Sequence, residues 1–251
     1  MKNKNKLLYM TFGILGTALV ISMYFLPIWW VALKSIQYPE AMYPKGIRII
    51  FKFNGVYNGC EGVREREELA MDAGADCLIE MNKINHFIGM YPIVQGVNDV
   101  NEFGEHVKYP VYAGDSIPDN EIPKALKVLD GIMRNAHLAF IILAVFGLAF
   151  VLVSRKKLSG LAILTGLAPL YFLIVYVYYL RWYGHNLGLH GGGAFSGIKP
   201  FMPTVLGEGK VAQFTTMSYP YIGFFVGVAG LVLMLLAISF KKKYLAEENK
   251  S

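Results

Sequence analysis

The chain has 251 residues, 55% of them hydrophobic and 17% charged, with a formal charge of +6 and two cysteines. Its basic residues gather at the ends of long apolar runs. They therefore mark membrane orientation rather than a nucleic-acid surface, which would need a basic face with base-stacking aromatics, and nucleic acid is excluded as a partner.

From the amino terminus, an apolar run from Leu7 to about Leu33 follows Lys2, Lys4 and Lys6 and closes with Trp29 and Trp30, rings that suit the headgroup interface. It predicts a first transmembrane helix leaving the cytoplasm. The run exceeds the roughly 7 to 15 apolar residues of a signal peptide and ends at Pro27, Ile28 and two tryptophans rather than at a small-residue cleavage site, so an uncleaved anchor is expected.

The following stretch, about a hundred residues, is long enough for a small domain with its own core. Within it, Gly46 to Phe53 alternates imperfectly, is rich in β-branched residues and predicts a strand before the Asn54-Gly55 turn. Glu65 to Met71 is helix-prone. Asp76 can cap a helix from about Cys77 to Gly89, stopped by Gly89 and Pro92. Irregular structure is expected from Tyr91 to Pro123, then a helix from Ile122 to Arg134 running into the second span without a break.

That second span covers about Ala136 to Val153 and ends in Arg155, Lys156 and Lys157. From this basic turn starts the third, about Leu158 to Leu180, which Pro169 should bend. The fourth, about Tyr221 to Phe240, ends in Lys241, Lys242 and Lys243. By the positive-inside rule both termini and the basic turn are cytoplasmic. On this division the inner pieces hold ten of the 24 Lys and Arg but two of the 18 acidic residues, leaving 14 basic and 16 acidic elsewhere.

The expected fold is therefore a multi-pass protein of the bacterial cytoplasmic membrane: four transmembrane α-helices with a mixed α/β extracytoplasmic domain between helices 1 and 2. Its parts are 1–34, the N-terminus and first helix; 35–135, the outer domain; 136–180, helices 2 and 3; 181–220, an extracytoplasmic segment read as an ordered loop over that domain; and 221–251, helix 4 and a cytoplasmic tail.

Both cysteines, Cys60 and Cys77, fall on the outer side, where a disulfide is permitted. It would stabilise the fold by roughly 3 kcal/mol in the chain-entropy model. A thiolate metal site is the competing reading, although the long spacing matches no compact ligand pattern.

The sharpest motif runs from Glu80 to Met90. On a helix, His86 and Met90 lie four apart and face one way, offering an imidazole and a thioether to one ion, a pairing that favours copper, particularly Cu(I), over Mg or Ca. The same residues also suit a hydrogen-bonded histidine and a core methionine. Trp182 to Leu187 returns a second histidine, His185, to the outer side, where it could converge on His86. His190, beside Gly191, Gly192 and Gly193, reads more simply as a loop residue.

No GxSxG elbow, Walker loop, HExxH or EF-hand pattern is present, so enzymatic activity is not expected. The spans hold no acidic residue, which argues against a solute path. Two alternatives compete with copper: a haem- or quinol-binding redox subunit using His137 and His185 as axial ligands, and a non-metal scaffold docking a periplasmic partner.

Tyr38-Pro39-Glu40, Asn85 to Met90, Tyr183 to Leu187, and the stretch from Lys199-Pro200 through Gly207, Lys210 and Phe214 to Ser218-Tyr219-Pro220 resemble a family of poorly characterised bacterial membrane proteins associated with nitrous oxide reductase gene clusters. The resemblance covers most of the chain. It implies a role in denitrification: handling copper at the outer face of the membrane in support of a periplasmic copper protein or chaperone. The matching positions are Asn85, His86, Gly89, Met90, Gly184, His185 and Asn186. Chemistry makes His86, Met90 and His185 the metal ligands, with Asn85, Asn186, Gly89 and Gly184 supporting them. The chain departs from the family between Asn58 and Asp76, which looks inserted and holds Cys60, with Cys77 directly after it, and in the glycines after Leu187.

Overall fold

A computed structural model of the chain describes residues 2–41, 43–59, 77–96, 118, 120–153, 158–188, 190, 199–211 and 213–248. The Glu65–Met71 helix, the Asp76 cap, Cys60, the basic turn at 155–157 and the glycines at 191–193 lie outside these residues. The chain divides into two compact units, one of Met1–Ile28, Asn135–Ile174 and Tyr221–Ser251, the other of Trp29–Arg134 and Val175–Pro220.

The first unit is helical: α1 (Lys2–Ser22) packs with the long carboxy-terminal helix Ile222–Glu248, and Ala136–Leu152 and Ser159–Gly166 complete it. Small residues let these helices approach closely, as lipid-embedded helices require. A Cβ on Gly16 would lie 3.1 Å from the Gly230 carbonyl oxygen and 3.2 Å from the Met234 nitrogen. The opposite faces carry exposed Ile141, Ile142, Val145, Phe225, Val232 and Leu235, side chains that lipid contact would cover. Asn3–Ser22 and Ile222–Glu248 are each long and apolar enough to cross a membrane; the number rises to four if Lys124–Arg134 with Ala136–Leu152, and Ser159–Gly166 with Ala168–His185, each count as one span. The latter pair bends by 45° at Leu167, two residues before Pro169, which lacks an N–H and crowds the preceding turn. Helix also stops at Asn135, so the expected unbroken run from Ile122 into the second span is interrupted.

Lys241, the first of the last basic cluster, is turned inward. It is 1% exposed, and its ammonium donates to the Phe150 carbonyl and, at 2.7 Å, to that of Val153. Those carbonyls lie at the carboxy-terminal end of Ala136–Leu152, so the cation caps the helix where its dipole is negative. The Phe150 ring lies 4.2 Å beneath the ammonium.

The second unit is built on one antiparallel sheet. In chain order its strands are β1 (Trp29–Lys34), β2 (Ile47–Lys52), β3 (Gly55–Asn58), β4 (Gly207–Val211) and β5 (Phe214–Pro220), in the spatial order β3-β2-β1-β5-β4. Two expectations change here. Helix α1 ends at Ser22, and Trp29–Lys34, read as the outer end of the first span, is the central strand. An apolar run alone does not separate helix from strand, and Pro27 stops the helix before a β-branched and aromatic stretch. Equally, the 181–220 segment is no mere loop: it contributes β4 and β5, and Val31 pairs with Ser218 on one side and Ile49 on the other. The sheet-bearing unit thus extends past the 35–135 limits on both sides.

Strand alternation puts Trp29, Val31 and Leu33 on the same face as Ile47, Ile49 and Phe51. Against Ile49 and Val56 pack Leu78 and Met81 from helix α2 (Cys77–Phe87) and Leu126 and Met133 from α3 (Lys124–Arg134), with Val94 between. The last helix of this unit is the second half of α6 (Ala168–His185), numbered after α4 (Ala136–Leu152) and α5 (Ser159–Gly166) and before α7 (Ile222–Glu248). Its tyrosines bond into the sheet unit: Tyr176 to the Ser218 hydroxyl at 3.0 Å, Tyr179 to the Ala125 carbonyl at 2.8 Å and Tyr183 to the Pro92 carbonyl at 2.9 Å. Their spacing of three and four residues places them on one helix face.

Candidate functional site

The end of α2 forms through a glycine-terminated cap. The Met90 N–H reaches the Asn85 carbonyl at 2.7 Å, the Gly89 N–H reaches that of His86 at 3.0 Å, and Gly89 has φ 73°. This six-to-one and five-to-two pairing with a left-handed glycine is a Schellman motif. It overturns the geometry expected for His86 and Met90. The helix ends at Phe87, so Met90 follows the reversal instead of sitting one helical turn above His86, and its side chain is buried at 7% exposure. A hydrophobic residue just beyond the glycine commonly closes this motif against the helix. Asn82 then fixes the outgoing chain by accepting the Ile93 N–H at 2.8 Å.

His190 comes to this corner, where sequence had pointed to His185. The His190 N–H donates to the Gly89 carbonyl at 3.0 Å, its ring stacks on Tyr91 at 4.9 Å and 10°, and it meets His86 edge to face with centroids 6.5 Å apart. Trp182 flanks Tyr91 at 6.2 Å. Only the return of the chain after α6 brings residue 190 to residue 89, and nothing in local spacing signals it. Asn85 is 2% exposed, and its Nδ2 finds no partner among the described residues.

His185, the last residue of α6, is exposed, and its Nδ1 lies 2.8 Å from the Arg181 carbonyl. A carbonyl only accepts, so Nδ1 of the neutral ring carries the proton and Nε2 keeps its lone pair, the tautomer that hydrogen-bonded metal ligands adopt. Asn186 closes the same helix by donating from Nδ2 to Trp182 and from its N–H to Tyr183. Gly184 is required by close approach: its carbonyl accepts the Phe201 N–H at 3.1 Å, and a side chain there would overlap the Phe201 carbonyl oxygen. Among the described residues no group of three or more His, Cys, Asp or Glu side chains is placed to hold a metal ion, so the expected convergence of His86 and His185 is not part of such a cluster.

Cys77 is buried and disulfide-bonded, and its sulfur accepts the Arg48 N–H at 3.3 Å. Its participation in a disulfide removes it from thiolate metal chemistry. His137, the other histidine considered for haem, lies at the start of α4 in the helical unit.

A second polar cluster lies on α2. Glu80 accepts a hydrogen bond from the Tyr38 hydroxyl and pairs with Lys83 at 3.1 Å. Burial, then the Glu80 charge, then Tyr43 and the Glu80 hydrogen bond, push the Tyr38 phenol up to about 12. Burial and Glu80 raise Tyr43 as well. A phenol raised above its ordinary value favours the neutral form in the fold. The stability it contributes is whole below pH 10.0 and is lost as pH rises towards about 12. Subtracting the phenolate absorbance titration of Tyr38→Phe from that of the parent should show a midpoint well above 10.0. Glu80→Gln should lower that midpoint without restoring the ordinary value, because burial is the larger cause. A midpoint unmoved by Glu80→Gln would refute the link.

No protein-family model, no curated protein and no solved structure matches this chain.

Proposed function

We propose that the protein is a four-span accessory protein of the bacterial cytoplasmic membrane, with both termini in the cytoplasm, that handles copper at the outer face and supports maturation of a periplasmic copper enzyme such as nitrous oxide reductase. Four of the chain's five histidines fall within the sheet-bearing unit, His86, His185 and His190 among its described residues and His106 outside them, and this concentration of imidazole carries the reading. The basic termini of the apolar runs support the orientation, since they assign that unit to the side away from the cytoplasm. The motif resemblance supports the partner class. His185 supplies an exposed imidazole with Nε2 available, the chemistry needed to take up and release an ion. Copper here is cargo, so ligands that exchange it suit the role better than a closed tetrahedral cage.

The test is a Cu(I) titration of the full-length protein, purified anaerobically in detergent, against a competing chelator. Near-stoichiometric copper is expected, with loss of binding and of reductase maturation when His86, Met90, His185 and His190 are all alanine. A Soret band would transfer the reading to haem. Neither copper nor colour would reject copper handling and leave the docking scaffold.

A further inference from the structure

We infer that His86 and His190 form the seat of a soft monovalent cation, Cu(I) in the cell, with His185 outside that seat. The inference rests on the copper reading and deepens it by naming the ligand pair. Two imidazole nitrogens each about 2 Å from one ion in a near-linear arrangement place their ring centroids roughly 6 Å apart. The observed 6.5 Å is close to that separation.

Backbone and packing hold both rings near this position without a metal. His86 is the next-to-last residue of α2, in a turn closed by the Gly89 reversal. The same glycine's carbonyl anchors the His190 backbone, so one residue sets both histidines. The Tyr91 ring, parallel to His190 within 10°, fixes the plane of the second imidazole. Such support from outside the ligand pair is what orients metal-binding histidines.

Among the described residues the seat offers two imidazoles, and that number suits the ion. Structural zinc takes four nitrogen, sulfur or oxygen ligands, whereas a d10 monovalent ion binds two imidazoles in a near-linear arrangement. Imidazole also suits copper, while Mg and Ca prefer oxygen. A reversible two-ligand seat would also release its ion to a partner more readily than a four-ligand cage.

The probe is Ag(I), a redox-silent analogue of Cu(I), titrated into the full-length protein in detergent by competition, followed by Cu(I) under anaerobic conditions. His190→Phe keeps a ring to stack on Tyr91 and removes the nitrogen. The expected result is one ion per chain in the parent and at least about a tenfold weaker affinity in His190→Phe and in His86→Phe. X-ray absorption of the Cu(I) form should show two imidazole nitrogens, falling to one in His190→Phe. Unfolding and circular dichroism that match the parent would confirm that His190→Phe is folded. Parent-like affinity in His190→Phe together with loss in His185→Ala would overturn this assignment while leaving copper handling intact. A parent that binds neither ion would end both.

Discussion

Ser218→Ala is expected to destabilise the sheet-bearing unit by about 3 kcal/mol, the sum of three hydrogen bonds lost with one hydroxyl. Ser218 is wholly buried on β5, next to the central strand. Its single proton goes to the Val205 carbonyl at 2.7 Å, so its oxygen must accept from the Trp29 indole N–H at 2.9 Å and from the Tyr176 hydroxyl at 3.0 Å. Removing the hydroxyl takes one hydrogen bond from each of the three groups, and in a low-dielectric interior each loss counts more than it would in water. Thermal unfolding in detergent, followed by tryptophan fluorescence because Trp29 reports directly, should show a clearly lowered midpoint. Ser218→Thr, which restores a hydroxyl, should recover part of it. An unchanged midpoint in Ser218→Ala would mean that water replaces the hydroxyl.

Gly184→Ala should have a comparable effect, about 2 to 3 kcal/mol, by overpacking rather than by loss of a hydrogen bond. The added methyl would overlap the Phe201 carbonyl oxygen and come within 2.8 Å of the Pro203 ring. Phe201 cannot withdraw freely because its N–H is bonded to the Gly184 carbonyl. The substitution must therefore move the 199–205 backbone or open the last turn of α6. That turn carries His185, so faster hydrogen exchange at Asn186 and Phe201 is the specific readout. Exchange as slow as in the parent would show that the turn absorbs a methyl without cost.

Tyr176, Tyr179 and Tyr183 show where local reading stopped. Their helical spacing was visible, yet in an apolar run it reads equally as lipid-facing packing. Only the folded chain shows three hydroxyls directed at Ser218, Ala125 and Pro92. Trp29 is a similar case. A tryptophan closing an apolar run suits the headgroup interface, but this one is 3% exposed in the centre of a sheet. His190 lay in a glycine-rich stretch with no periodicity, and its partner Gly89 is a hundred residues away in the chain, beyond the reach of any spacing argument.

By itself the sequence determined the properties that depend on short windows. Apolar runs of sufficient length specified helices at Ala136–Leu152 and Ile222–Glu248, Pro169 marked the neighbourhood of a bend, the β-branched stretch before Asn54-Gly55 became β2, and Gly89 ended α2. Helix propensity, proline sterics and left-handed glycine are all local. The tertiary structure alone decided whether an apolar stretch became helix or strand when its partners were remote: Trp29–Lys34 became a strand because Phe214–Pro220 and Ile47–Lys52 satisfy its backbone on both sides. It likewise decided which imidazoles meet, because the Gly89 reversal carries Met90 off the His86 helix and hydrogen-bonds His190 in its place. Strand pairing and loop return depend on contacts distant in sequence, and no local window contains both partners.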